Sequence, residues 1–186
     1  MKVFWREEPL TDNEADLLRL CLEAHSASAL RDNLSSITMA QCAASGVSFP
    51  QALSASLSTL GGKHAPLAFT FQVFQWTNTE IIKAIGSGAT LAGWGNSLVK
   101  DAPDDLWMNV DEKLSAIGGD WYSRMQFVTA EFHKIGKKIF PNPSAYTVMV
   151  AHILKIPASL ASWLFIAGRL NSWAAIYQRS DMKGAA

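Results

Sequence analysis

His64 follows a Gly61-Gly62-Lys63 turn and precedes Ala65-Pro66. Glycines there give the backbone room for something to approach, and an imidazole exchanges a proton near neutral pH. His64 is therefore either the remnant of an active site or a polar loop residue, and its partners elsewhere in the chain decide which. Arg169 is a lone cation four residues after Phe165 on an otherwise apolar helix. Such a guanidinium holds a ligand carboxylate, pairs with an acid, or snorkels to solvent. Gly93 and Gly95 bracket Trp94 in a glycine-rich loop, a feature with many uses. Trp94, Trp107, Trp121, Trp163 and Trp173 read more simply as core or interface aromatics than as ligand stackers.

Other chemistries find little support. Cys21 and Cys42 lie in apolar helical patterns without metal-ligand spacing, so no metal site is expected. Free thiols in a reducing cytoplasm are the plain reading. The 186-residue chain has zero formal net charge and no dense basic cluster. Lys134, Lys137 and Lys138 form a solvated helix face, so nucleic acid is not an expected partner. The start, "MKVFWREEPLTDNE", turns acidic without an apolar run and does not read as a secretory signal. The apolar stretch from Ala145 to Gly168 carries His152, Lys155 and Pro157 near its middle. At mid-bilayer depth those residues would be costly, so two helices joined at "KIP" are expected rather than a membrane span.

The elements that must position these residues read as helices. Apolar residues make up 49% of the chain, enough for a substantial core in one domain. Thr11-Asp-Asn-Glu14 is a capping box opening a helix with Leu17, Leu18, Cys21 and Leu22 on one face, expected to end near His25. Further helices are expected over 33–44, closed by Gly46, and over 50–60, with a fourth ending at Trp76. Residues 77–105 read as loop. Helices over 104–117 and 120–138 follow, with Asp104-Asp105 suiting a helix start. "FPNPS" breaks the chain and offers Ser144 as a cap, and the last helix is expected over 157–179. No strand run exceeds four residues. The expected class is all-α.

Three signposts occur in the order of one family: "LGGKH", "GWGNSLVK", and the segment 137–178 from "KKIFPNPSAY" to "LNSWAAIYQ". They resemble the citrate synthase family's Gly-Pro-x-His-Gly-Gly turn, Gly-Phe-Gly-His-Arg loop and Tyr-Pro-Asn-Val-Asp helix start. A Gly-Ile-Pro break and an arginine on the final long helix follow in that family. The resemblance covers residues 20–180 and implies a citrate-synthase-like helical fold: the small domain plus the remaining C-terminal helices of the large domain.

In that family a carboxylate takes the α-proton of an acyl-CoA, one histidine hydrogen-bonds the enol, and a second polarises the carbonyl of oxaloacetate. Arginines hold the carboxylates. The resemblance places His64 on the enol-stabilising histidine and Arg169 on the last-helix arginine. Asn96 stands where the polarising histidine belongs, and an amide donates a hydrogen bond but transfers no proton. Ser144 stands at the base carboxylate. The family's His-Glu-x-Asn segment reads Leu30-Arg31-Asp32-Asn33, and a further arginine reads Asp105. Gly93 and Gly95 keep the bend that receives CoA's adenine.

These departures imply a truncated, degenerate homologue without citrate synthase activity, serving as a non-catalytic binding or assembly module. The alternative is a repurposed enzyme acting through His64 on an acyl thioester or small carboxylic acid. No resident cofactor is expected, with CoA or an acyl thioester as candidate ligands. A homodimer or a partner protein is expected to cover apolar helix faces left by the missing large domain.

Overall fold

The computed structural model describes residues 1, 3–31, 33–60 and 66–184, so His64 and Asp32 lie outside the described residues. Thr11 opens α1, Asp12–Ala29: its hydroxyl accepts from the Glu14 N–H at 3.3 Å, while its own N–H donates to the Glu14 carboxylate at 2.8 Å. The helix does not stop near His25. Its inward stripe continues through Ala24, His25, Ser28 and Ala29, all buried, and packing outweighs the weaker helix propensity of that stretch.

Asn33 caps α2, Leu34–Ala44, and α3 spans Phe49–Ser58. After α4, Leu67–Gln75, comes a helix where loop was expected: α5, Asn78–Gly86. A second capping box, Thr77 with Glu80, starts it, and Ile81 and Ile85 fix it to the core. The expected helix over 104–117 divides into a 3-10 turn, Asp105–Trp107, and α6, Met108–Ile117. The next, α7, is Gly119–Lys134 and stops short of residue 138 because Gly136 turns the chain at φ +77°. Asn142, not Ser144, caps α8, Pro143–Ile153. A left-handed Lys155 and Pro157 separate α8 from α9, Ser162–Gly184. The apolar stretch is thus two helices, and no described helix is long and apolar enough to cross a membrane.

The described residues form no strand, only the isolated bridges Val3 with Arg6 and Trp94 with Pro141. The fold is all-α. At its centre lies α8, buried continuously from Ser144 to Ala151, with α1, α4, α6 and α7 around it. The chain's first and last helices cross closely: a Cβ on Gly168 would lie 2.5 Å from the His25 Cβ and 2.9 Å from the Leu22 carbonyl oxygen. A second core joins α2, α3 and the far half of α9 around Met39, Ala52 and Trp173. Trp173 is fully buried within the chain and is a core aromatic. Both cysteines are free, Cys21 buried and Cys42 half-buried.

Candidate ligand cavity

The loop 93–95 is held in place by the segment preceding α8. Asn142 N–H donates to the Gly93 carbonyl at 2.8 Å, Gly95 N–H donates to the Phe140 carbonyl at 2.9 Å, and the Asn142 side chain donates to the Gly95 carbonyl at 2.8 Å. The Asn142 Oδ1 meanwhile accepts from Ser144 N–H, so one residue both caps the helix and fastens the loop. Gly93 has φ +94° and approaches α4 so closely that a Cβ would lie 2.6 Å from Thr70 Cγ2. Only glycine meets both demands. The Trp94 indole N–H donates to the Thr129 hydroxyl at 3.1 Å, which fixes the ring.

This wall faces α2, α3 and α9 across an open cavity of about 940 Å³. Gly93, Gly95, Asn96, Ser144 and Arg169 all line it, from three separate parts of the chain. Leu60 and Pro66, which flank the segment containing His64, line it too. The position of His64 itself lies outside the described residues.

Arg169 is 7% exposed, and its carbon skeleton leaves the guanidinium 5.2 Å from the Phe165 ring centroid. Its Nη1 donates to Ser35 Oγ at 3.1 Å, while Nε has no partner among the described residues. No carboxylate of a described residue lies within ion-pair distance. Burial pushes its pKa down to about 10, which leaves it charged at neutral pH. It neither pairs with a described acid nor snorkels to solvent. A buried, half-satisfied guanidinium beside a cavity retains N–H donors that a carboxylate could use.

Sequence reasoning missed the group beneath it. His25 is fully buried between Trp107 and Phe165, with Nε2 2.9 Å from the Thr147 hydroxyl and Nδ1 unpartnered among the described residues. Burial, then the charge of Arg169, holds its pKa well below the ordinary value. The unfolded chain therefore binds the extra proton, and stability falls as pH drops below about 6.5, by up to about 1.4 kcal/mol per unit. His152 shifts in the same direction through partial burial, so the comparison must isolate His25. Urea unfolding at pH 7 and pH 5 is expected to show a larger loss in the native chain than in His25→Gln. Equal losses would mean that the imidazole is not held neutral.

Ser144 is buried and faces the cavity, with no hydrogen bond from its hydroxyl to a described residue. Asn96 is differently placed. Its Nδ2 donates to Asp104 at 3.1 Å and its Oδ1 accepts from Leu98 N–H at 2.9 Å, so the amide is engaged within the wall. Asp104, almost fully buried, also receives Arg31 at 2.9 and 3.0 Å and caps Leu106 N–H. Asp105 pairs with Arg31 at 2.7 Å and does not line the cavity, so it does not repel a bound carboxylate there. Asn33 spends its side chain on capping α2 and bonding the Ser28 carbonyl. Among the described residues, no cluster could hold a metal ion.

The same helical fold is found in a citryl-CoA lyase and in citrate synthases. The citryl-CoA lyase of Hydrogenobacter thermophilus superposes with a TM-score of 0.78 at 19% identity, over 94% of this chain and 72% of that one. The citrate synthase of Thermotoga maritima gives 0.75 at 16% identity, over 92% and 50%. The citrate synthase of Thermoplasma acidophilum, solved with carboxymethyl coenzyme A and oxaloacetate, gives 0.72 at 19% identity, over 91% and 49%. The chain thus spans about half the length of these two synthases. No curated protein sequence matches. The chain belongs to the citrate synthase family: the model described as citrate synthase, C-terminal domain, matches residues 3–183.

Proposed function

We propose that this chain is a citrate-synthase-fold binding module without citrate synthase activity, whose cavity receives a small carboxylate on Arg169. One observation carries the reading: among the described residues lining the cavity, Arg169 alone is ionisable. Abstracting the α-proton of a thioester needs a positioned base, and a serine alcohol is too weak for that work. Ser144 occupies the position of the family's carboxylate, and the Asn96 amide is engaged by Asp104. Losing base and polarising acid together removes groups that act as a unit.

A second reading keeps an acyl thioester as ligand or substrate, with His64 as the reacting group. A smaller cavity of about 160 Å³ favours it, because it shares Gly95 and Asn96 with the large one and is lined by Lys100 and Lys138. Those ammonium groups suit phosphates, although Asp101 and Asp104 line the same space. Both readings include association as a homodimer or with a partner chain, since Leu30, Phe69 and Met108 are each at least 60% exposed.

Purified chain mixed with acetyl-CoA and oxaloacetate is expected to release no thiol above the buffer rate. Ser144→Asp is expected to remain inactive, because the Asn96 position still lacks a proton donor. The same sample in light scattering should weigh at least twice the 20.3 kDa chain. Thiol release by the native chain would overturn the non-catalytic reading, and its loss in His64→Ala would establish the second one. A monomer at micromolar concentration would remove the association.

A further inference from the structure

We infer that one buried water molecule joins His25 to Trp107 and completes a hydrogen-bond relay ending at the Pro143 carbonyl, immediately before Ser144. The tautomer of His25 is the first argument. Thr147 Oγ1 lies 2.6 Å from the Pro143 carbonyl oxygen and 2.9 Å from His25 Nε2. A carbonyl can only accept, so the single hydroxyl proton of Thr147 goes to Pro143. His25 must then donate to Thr147 from Nε2–H, which leaves Nδ1 as a bare lone pair. The opposite tautomer would set two lone pairs against each other at Thr147.

What surrounds that lone pair is the second argument. Nδ1 is a buried acceptor without a donor among the described residues, and the Trp107 indole N–H is a buried donor without an acceptor among them. Both side chains are fully buried, and their rings meet at 83° with centroids 4.8 Å apart. Trp107 also stacks on Tyr146 at 5.3 Å and 9°, which restrains the direction of its N–H. Ser28, one turn beyond His25 on α1, is a third buried polar group without a described partner. Its side chain leans back toward the turn that carries His25, as helical side chains do. A water here accepts from Trp107 and donates to Nδ1 and to the Ser28 oxygen, the usual number of bonds for a buried water. A dry N–H and a dry lone pair side by side would both be costly. With the water in place every bond from Trp107 through His25 and Thr147 to Pro143 points the same way, and such chains polarise one another. The relay ties the 3-10 turn and α1 to the first turn of α8, where Ser144 lines the cavity. His25 is thus a positioning residue for that helix start, whatever the cavity binds.

The test is nuclear magnetic resonance on the native chain at neutral pH. Long-range nitrogen–proton spectra should show His25 with a protonated Nε2 and a bare Nδ1, assigned by the loss of its signals in His25→Gln. The Trp107 indole proton, assigned by its loss in Trp107→Phe, should show a cross-relaxation peak to water with the sign of a long-lived bound molecule. Thr147→Ser keeps the hydroxyl and should keep both signatures. Thr147→Val removes the acceptor and should turn the single tautomer into a mixture. A protonated Nδ1 in the native chain would overturn the relay, and a Trp107 indole proton without a water peak would overturn the water site. A pure Nε2–H tautomer in Thr147→Val would overturn the role of Thr147 in fixing it. The first two measurements use the unmodified protein, so they decide the inference even if the valine variant does not fold.

Discussion

Gly168→Ala should destabilise the protein by about 2–4 kcal/mol, although alanine is the better helix former. On an isolated helix the change would gain about 1 kcal/mol. Here the new methyl would sit 2.5 Å from the His25 Cβ, 2.9 Å from the Leu22 carbonyl oxygen and 3.3 Å from its Cα. Two of those three atoms are backbone, so no side-chain rotation relieves the contact, and α1 must move away from α9. Separation would disturb the core in which α1 buries Leu17, Leu18 and Cys21. Overpacking of this kind commonly costs 1–3 kcal/mol or more, which outweighs the propensity gain. Chemical denaturation gives the answer directly. A variant as stable as the native chain would mean that the two helices do not cross so tightly.

Asp104→Ala is expected to cost a similar amount, about 2–4 kcal/mol, and to damage the cavity as well. The carboxylate is the acceptor for Arg31, Asn96 and Leu106 N–H at once. Its removal strands three donors, and the loss of one partner from a buried pair is the expensive direction. Arg31 keeps Asp105 and some solvent, which limits the loss. Asn96 has no such substitute and is released from the wall. Binding of a small carboxylate such as acetate should therefore weaken in Asp104→Ala even where the protein remains folded. Unchanged stability and unchanged binding together would show that the network holds nothing in place.

The legible parts of this molecule are the local ones. Thr11 and Glu14 cap α1 through atoms three residues apart, so the motif is complete in the text. Thr77 and Glu80 make the same box, but the glycines at 86, 88, 93 and 95 suggested a loop throughout, and α5 was missed. In Asn142-Pro143-Ser144 two residue types can cap, and only the backbone path decides for Asn142. That choice matters, because it leaves the Ser144 hydroxyl facing the cavity. The meeting of Gly93, Gly95, Asn96, Ser144 and Arg169 on one space followed from the order of three motifs resembling a known family. The supporting contacts did not. His25 meets Thr147 across 122 residues, Arg31 meets Asp104 across 73, and Arg169 meets Ser35 across 134. No periodicity or spacing in a single chain encodes such pairs.

The close crossing of α1 and α9 also constrains how the protein is born. On the ribosome, α1 emerges while α9 is still more than a hundred codons from synthesis. At ordinary elongation rates that interval is on the order of ten seconds. Throughout it, the α1 surface at Leu22 and His25, against which Gly168 packs, lacks that cover. The contact between α1 and Gly168 is therefore one of the later ones to become possible, after those of α1 with α6 and α8.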